Sequence, residues 1–177
     1  MEKSHRKGKI LIFVGLIIIV FGAINYYRIR ILSFAKVPAT AIGSTTNIDI
    51  PSEISIPSIN VDLKIDPSNI YDGVWQISKE NASFLTTSSP IGGNGNTVIY
   101  GHNKKKIFGN LPNVNIGEKI SVKTVMGKTY DYIVDKKEFV SPKEVELISE
   151  TAEPTLTIYT YYGFLGSQRA VIVAKPI

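Results

Sequence analysis

The chain has 177 residues, a length that suits one domain of ordinary size plus an appendage. It holds no cysteine, which excludes disulfides, thiolate metal sites and thiol catalysis, and its only histidines, His5 and His102, form no histidine-rich metal site. The net charge of +5 is uneven: residues 1–36 carry seven basic side chains against Glu2, a net of +6, while the remainder carries 13 basic against 14 acidic, a net of −1. The basic character therefore belongs to a tail, and a nucleic-acid-binding face on the domain is not expected.

Residues 1–9 read as a basic tail. Ile10–Tyr27 is almost uninterrupted apolar sequence, and its 18 residues cover ~27 Å as a helix, enough to span a bilayer core. Tyr26 and Tyr27 sit where an interface belt would lie. Lys3, Arg6, Lys7 and Lys9 precede the run, and Arg28 and Arg30 follow it. The expectation is an uncleaved anchor over 10–27, with the amino terminus cytoplasmic and the rest outside. A cleaved signal peptide is the competing reading, but the small-residue triplet Ala39-Thr40-Ala41 lies well beyond the apolar run. Residues 28–48, with Pro38, Gly43 and a polar run, read as a stalk.

The domain is expected over 49–177. Ile54, Ile56 and Ile59, then Val61, Leu63 and Ile65, recur at the period of half-buried strands, and Pro57 suggests an edge or a bulge. Val74–Ile77 reads as a short strand, and Asn81–Leu85 as one helical turn. Pro90–Asn96 is a glycine loop feeding a strand; no Lys-Ser/Thr follows it, so it is not a phosphate-binding P-loop. Thr97–His102 is β-branched and aromatic, a strand ending in a histidine. Lys104–Leu111 has helix-like apolar spacing. Glu118–Val125 and Thr129–Val140 flank a Met126-Gly127-Lys128 turn as a hairpin. Ser141, Pro142 and Glu144 have the pattern of a helix start with a capping box, and that helix must stop before Pro154. Thr155–Tyr161 and Arg169–Ala174 are two more strands, joined by a short loop with glycine. About eight short strands with hairpin-length connections favour a mostly β, largely antiparallel closed barrel with a few short helices.

The segments from Ile54 to Lys175 resemble the sortases, the membrane-anchored cysteine transpeptidases of bacterial cell surfaces. The resemblance rests on Gly101-His102 after the Thr97 strand, on Leu156-Thr157-Ile158-Tyr159-Thr160, and on an arginine eight residues past Tyr161. It implies an eight-stranded β-barrel behind a transmembrane helix, and its short final loop looks closest to class D or E. In such enzymes the cysteine attacks a carbonyl of a sorting signal such as Leu-Pro-x-Thr-Gly, and an amine at the cell surface then takes the acyl group. By position, the resemblance makes His102 the acid/base, Arg169 the clamp for substrate and oxyanion, and Tyr161 the occupant of the cysteine's place. It implies no cofactor, and no acidic cluster marks the calcium site found in some sortases.

Each role has a chemical reason and a plainer alternative. A thiolate is a strong nucleophile, a near-neutral imidazole gives and takes protons, and a guanidinium stays charged. A phenol is ionised to roughly one part in a thousand at pH 7, and the oxygen of Tyr161 lies further from the backbone than a thiol. Thr160 should face the other way along the strand, and Ser167 is a remote substitute. Without the resemblance, His102 reads as a surface or capping residue and Arg169 as a solvated one; Tyr159, Tyr161 and Tyr162 also read as an aromatic wall. Three readings follow: a sortase-like protein inactive for want of a nucleophile, which still binds a peptide or surface partner; an active transpeptidase with a different nucleophile; and a structural surface domain.

Overall fold

The computed structural model describes residues 2–30, 49–71 and 73–177, with the side chains of the first stretch described over 8–24. The chain divides into two compact units, 1–31 and 32–177. In the first, α1 (Glu2–Arg30) is a single helix of 29 residues, ~43 Å long. Its side chains from Ile10 to Ile24 are apolar and mostly exposed. Among the described residues no helix is long and apolar enough to cross a membrane. The expected anchor over 10–27 runs past the described side chains, and the expected stalk lies, beyond Arg30, outside the described residues.

The second unit is built on ten strands: β1 (Pro51–Ile56), β2 (Val61–Ser68), β3 (Ile70–Tyr71), β4 (Val74–Trp75), β5 (Ala82–Leu85), β6 (Asn96–Tyr100), β7 (Lys119–Thr124), β8 (Thr129–Val140), β9 (Thr155–Tyr162) and β10 (Gln168–Pro176). Eight of them close into a barrel in the order β1-β2-β5-β6-β9-β10-β8-β7, and β3 and β4 form a separate two-stranded ribbon. Closure removes the exposed sheet edges that an open sheet would carry. The expected hairpin is β7–β8, and the last two strands pair antiparallel as expected. Two pairings are parallel, β2 with β5 and β6 with β9.

The period-two alternation divides the β6-β9-β10 region into two faces. Ile99, Ile158 and Ile172 stand opposite one another and point into the barrel, where they join the main core. Tyr100, Tyr159 and Val171 are opposite one another too, but face outward into a second core with Trp75, Val140 and Ile148. Tyr100 and Tyr159 stack at 5.4 Å, and Trp75 meets both edge-on at 5.2 and 5.9 Å. The ribbon that supplies Trp75 thus covers the outer face of the strands that end at the candidate site.

Four local expectations are corrected. Asn81–Leu85 is not a helical turn: Ala82–Leu85 is β5, buried at all four positions between β2 and β6. Pro57 is not in a strand edge or bulge but opens a 3-10 turn, Pro57–Ile59, where its missing N–H costs nothing, and Asn60 closes the turn at φ 54°. At Ser141 half of the capping box forms, with Ser141 N–H donating to Glu144 Oε1 at 3.1 Å, while the Ser141 hydroxyl accepts from Lys143 N–H at 3.3 Å. No α-helix follows, only a turn and the 3-10 segment Glu146–Ile148, because Ile148 is drawn into the second core within one turn. The strand expected over Thr97–His102 ends at Tyr100, so His102 lies just past it.

Candidate active site

The barrel strands bring His102, Tyr161 and Arg169 to one place. Tyr161 is directly opposite Arg169 in the β9–β10 pair, so their side chains share the outer face. Tyr100 is opposite Tyr159 in the parallel β6–β9 pair, and Gly101 N–H donates to Tyr159 O at 3.2 Å. This register carries His102 alongside Tyr161. Their ring centroids lie 6.4 Å apart at 83°, an edge-to-face arrangement.

A second bond fixes the same junction. Thr160 Oγ1 donates to Gly101 O at 2.8 Å and is fully buried. Thr160 faces away from the site, as strand alternation requires, and its hydroxyl is occupied. Gly101 itself admits no side chain: a Cβ there would meet Phe108 at 2.8 Å and Ile107 at 2.9 Å. The turn that follows His102 is therefore pressed onto the strand end. Its own bonds, Phe108 N–H to His102 O at 3.1 Å and Ile107 N–H to Lys104 O at 2.8 Å, hold its shape. The sequence expected a short helix or helical turns over Lys104–Leu111; the structure has turns here, then the 3-10 segment Leu111–Asn113.

Burial lowers the pKa of the His102 imidazole below its ordinary value, and the positive charge of Lys104 lowers it further. At neutral pH the ring is therefore neutral, the state in which one nitrogen donates and the other accepts.

Arg169 is only 1% exposed. Its Nη1 donates to Gly166 O at 3.0 Å, in the loop that enters β10, and to Gln168 O at 2.9 Å, at the first position of β10. Burial lowers the guanidinium pKa, and the neighbouring Tyr159 phenol opposes that shift. The Tyr159 phenol is itself held protonated by complete burial. The plain solvated arginine of the sequence reading does not apply, because this side chain braces the β9–β10 loop. Ser167, the remote substitute, is exposed on that loop.

The three neighbouring tyrosines do not form one wall. Tyr159 is buried in the second core, Tyr161 stands beside His102, and Tyr162 faces the other way onto Phe139, with ring centroids 4.6 Å apart. Two features at this end of the barrel were not singled out from the sequence. Lys104, Lys105 and Lys106 are exposed on the turn after His102, and Phe164 and Leu165 are exposed on the loop braced by Arg169. The signals were present as a triple lysine directly after a strand-end histidine and as apolar residues in a glycine-bearing loop. Among the described residues, no group of three or more histidine and carboxylate side chains is placed to hold a metal ion.

A closed eight-stranded barrel, with Tyr161 beside a histidine just past β6 and opposite an arginine on β10, is the scaffold of a transpeptidase class. Residues 54–177 match the family described as the sortase domain, and this chain belongs to the sortase family. Solved structures agree. A Clostridium perfringens sortase D5 transpeptidase superposes with a TM-score of 0.62 at 25% identity, over 73% of this chain and 79% of that one. Sortase A from Corynebacterium diphtheriae gives 0.63 at 22%, over 89% of this chain and 82% of that one. Sortase C1 of Streptococcus agalactiae gives 0.61 at 24%, over 73% and 69%. The neighbours thus include a class D structure alongside class A and class C ones. No curated protein matches the chain.

Proposed function

We propose that this chain is a single-pass, membrane-anchored member of the sortase family that binds the sorting-signal peptide of surface proteins but does not transfer it. The observation that carries this reading is the edge-to-face contact of His102 with Tyr161, opposite Arg169, in a chain without cysteine. The two residues that serve the transpeptidases each neighbour Tyr161, one through its ring and one as its cross-strand partner, and Tyr161 offers an aromatic ring where active relatives offer a thiol. A phenol beside a neutral imidazole provides a flat contact surface and hydrogen-bonding groups for a peptide, with no thiolate to form an acyl-enzyme. The amine acceptor that active relatives use has no acyl group to receive here. Titrating the full chain in non-ionic detergent into a fluorescent Leu-Pro-Ala-Thr-Gly peptide tests the binding. Saturable anisotropy that weakens about tenfold or more in Tyr161→Ala is expected, the scale of losing one aromatic contact of roughly 1.4 kcal/mol. No saturable signal would overturn the reading in favour of a structural surface domain.

The anchor is the apolar run at 10–27, with the amino terminus cytoplasmic and the domain outside. The continuous helix and its exposed apolar side chains support this placement, as does the concentration of positive charge before the run. Protease added to intact cells is expected to digest the domain, and a protected domain would reverse the orientation.

A further inference from the structure

The turn after His102 carries three consecutive lysines that the peptide-binding reading does not use. The turn that carries Lys104, Lys105 and Lys106 is held from beneath, where Ile107 and Phe108 are buried in the main core and Gly101 leaves no room for the turn to shift. Gly109 is equally confined, since a Cβ there would come within 2.8 Å of the Lys104 backbone. Lys104 Nζ is committed to Lys79 O at 3.0 Å. Lys105 and Lys106 are exposed, and the four ion pairs among the described residues draw on Lys119, Lys123, Lys136 and Lys175 instead.

The rest of the domain does not share this charge: without these three lysines, residues 37–177 carry 10 basic and 14 acidic side chains, a net of −4. A concentrated positive edge on an otherwise acidic domain, two to four residues past His102, acts within a Debye length of whatever lies at the site. At the same end of the barrel, the loop braced by Arg169 presents Phe164 and Leu165 at 84% and 77% exposure. Leu165 is held at φ 51°, a conformation that a leucine rarely adopts. The strands β6 and β9 run parallel, so the loops that leave them lie at the same end of the barrel. One end therefore combines cations on a fixed turn with apolar side chains on a braced loop.

We propose that the site selects a peptide whose recognition core is flanked by acidic residues, with Lys105 and Lys106 reading the acids and Phe164 and Leu165 contacting an apolar side chain. This rests on the peptide-binding reading above and assigns that peptide its chemistry. A peptide suits the arrangement because its extended backbone can carry acidic and apolar groups to two separate loops at one end of the barrel.

The test uses the full chain in non-ionic detergent and three fluorescent probes: Leu-Pro-Ala-Thr-Gly followed by three glutamates, the same core preceded by three glutamates, and the core followed by three glutamines. At least one glutamate probe is expected to bind about tenfold more tightly than the glutamine probe, the scale of two or three exposed charge pairs. The advantage should shrink between about 0.05 M and about 0.5 M salt. It should vanish in Lys105→Gln/Lys106→Gln while the glutamine probe keeps its affinity. Phe164→Ser/Leu165→Ser should weaken all three probes, and circular dichroism of these exposed-residue variants should be unchanged. Equal affinity for glutamate and glutamine probes overturns the selectivity and leaves the peptide reading standing. Free polyglutamate binding as tightly as the glutamate probes also overturns it, by showing a non-specific anion patch. No binding of any probe sinks the peptide reading and the selectivity together.

Discussion

Incubated with a Leu-Pro-x-Thr-Gly peptide and an amine, the unmodified chain is expected to form no covalent adduct visible by mass spectrometry and no transfer product. The reason is chemical. Covalent acyl transfer splits one difficult step into two only if a nucleophile is ionised and within reach. The chain contains no cysteine, Thr160 is buried with its hydroxyl donated to Gly101, and Ser167 lies exposed on a loop. Removing the nucleophile of a serine protease costs about six orders of magnitude in turnover, which leaves only binding and oxyanion contributions. A loss of that scale is expected relative to an active sortase. Tyr161→Cys should recover part of it, because position 161 is beside His102 and opposite Arg169. The gain should appear first as a trapped acyl-enzyme and should disappear in Tyr161→Cys/His102→Ala. Robust turnover by the unmodified chain would mean that another residue is the nucleophile. No adduct in Tyr161→Cys, with peptide binding intact, would mean that the constellation holds a ligand but no longer aligns it for attack.

The parts of this fold that were legible in the sequence are those set by local pattern. β9 and β10 are runs of β-branched and aromatic residues joined by a short loop, and the structure pairs them. β7 and β8 flank a glycine turn and form the expected hairpin. β5 was misread because Asn81–Leu85 has no period of its own; what makes it a strand is the pairing of Ser83 with Asp66 and Tyr100, both far away in sequence. Long-range pairing also decides that β6 and β9 run parallel, which local signals cannot carry.

The site divides in the same way. The family resemblance singles out His102, Tyr161 and Arg169, and the structure puts Tyr161 beside His102 and opposite Arg169. The environment of Arg169 was not legible in the sequence. Its burial depends on the loop from Tyr162 to Gln168 turning back over it, with Gly163 at φ 77°, Leu165 at 51° and Gly166 at 71°. A strand-initial arginine reads as solvated until that return is known. The division of the tyrosines, by contrast, follows from a period of two: Tyr159 and Tyr161 face the outer side, while Tyr162 turns to Phe139.

That return of the loop sets the second large effect. Arg169→Ala is expected to destabilise the domain by about 3 kcal/mol, well above the usual cost of an exposed substitution. Three terms compete. Truncation deprives the Gly166 and Gln168 carbonyls of their donor and empties the space filled by a long side chain that is 1% exposed, and both effects are unfavourable. It also removes a buried cation, which offsets part of the loss. The first two dominate because the guanidinium is the brace that closes a loop with three residues at positive φ. For a domain of this size the melting temperature should fall by ~10 °C. Phe164→Ala is the control: at 84% exposure it should shift stability by less than about 0.5 kcal/mol. Leu165→Gly should be neutral or slightly stabilising, because glycine adopts φ 51° without the steric cost that leucine pays. If Arg169→Ala instead leaves the melting temperature unchanged and abolishes binding of the Leu-Pro-Ala-Thr-Gly peptide, the guanidinium spends its energy on the ligand, and the brace is incidental. If both fall together, Arg169→Lys separates them. A lysine keeps the charge that a peptide carboxyl would feel, but its flexible stem ends one atom short of the Nη1 that serves both carbonyls, so stability should stay low while binding partly returns.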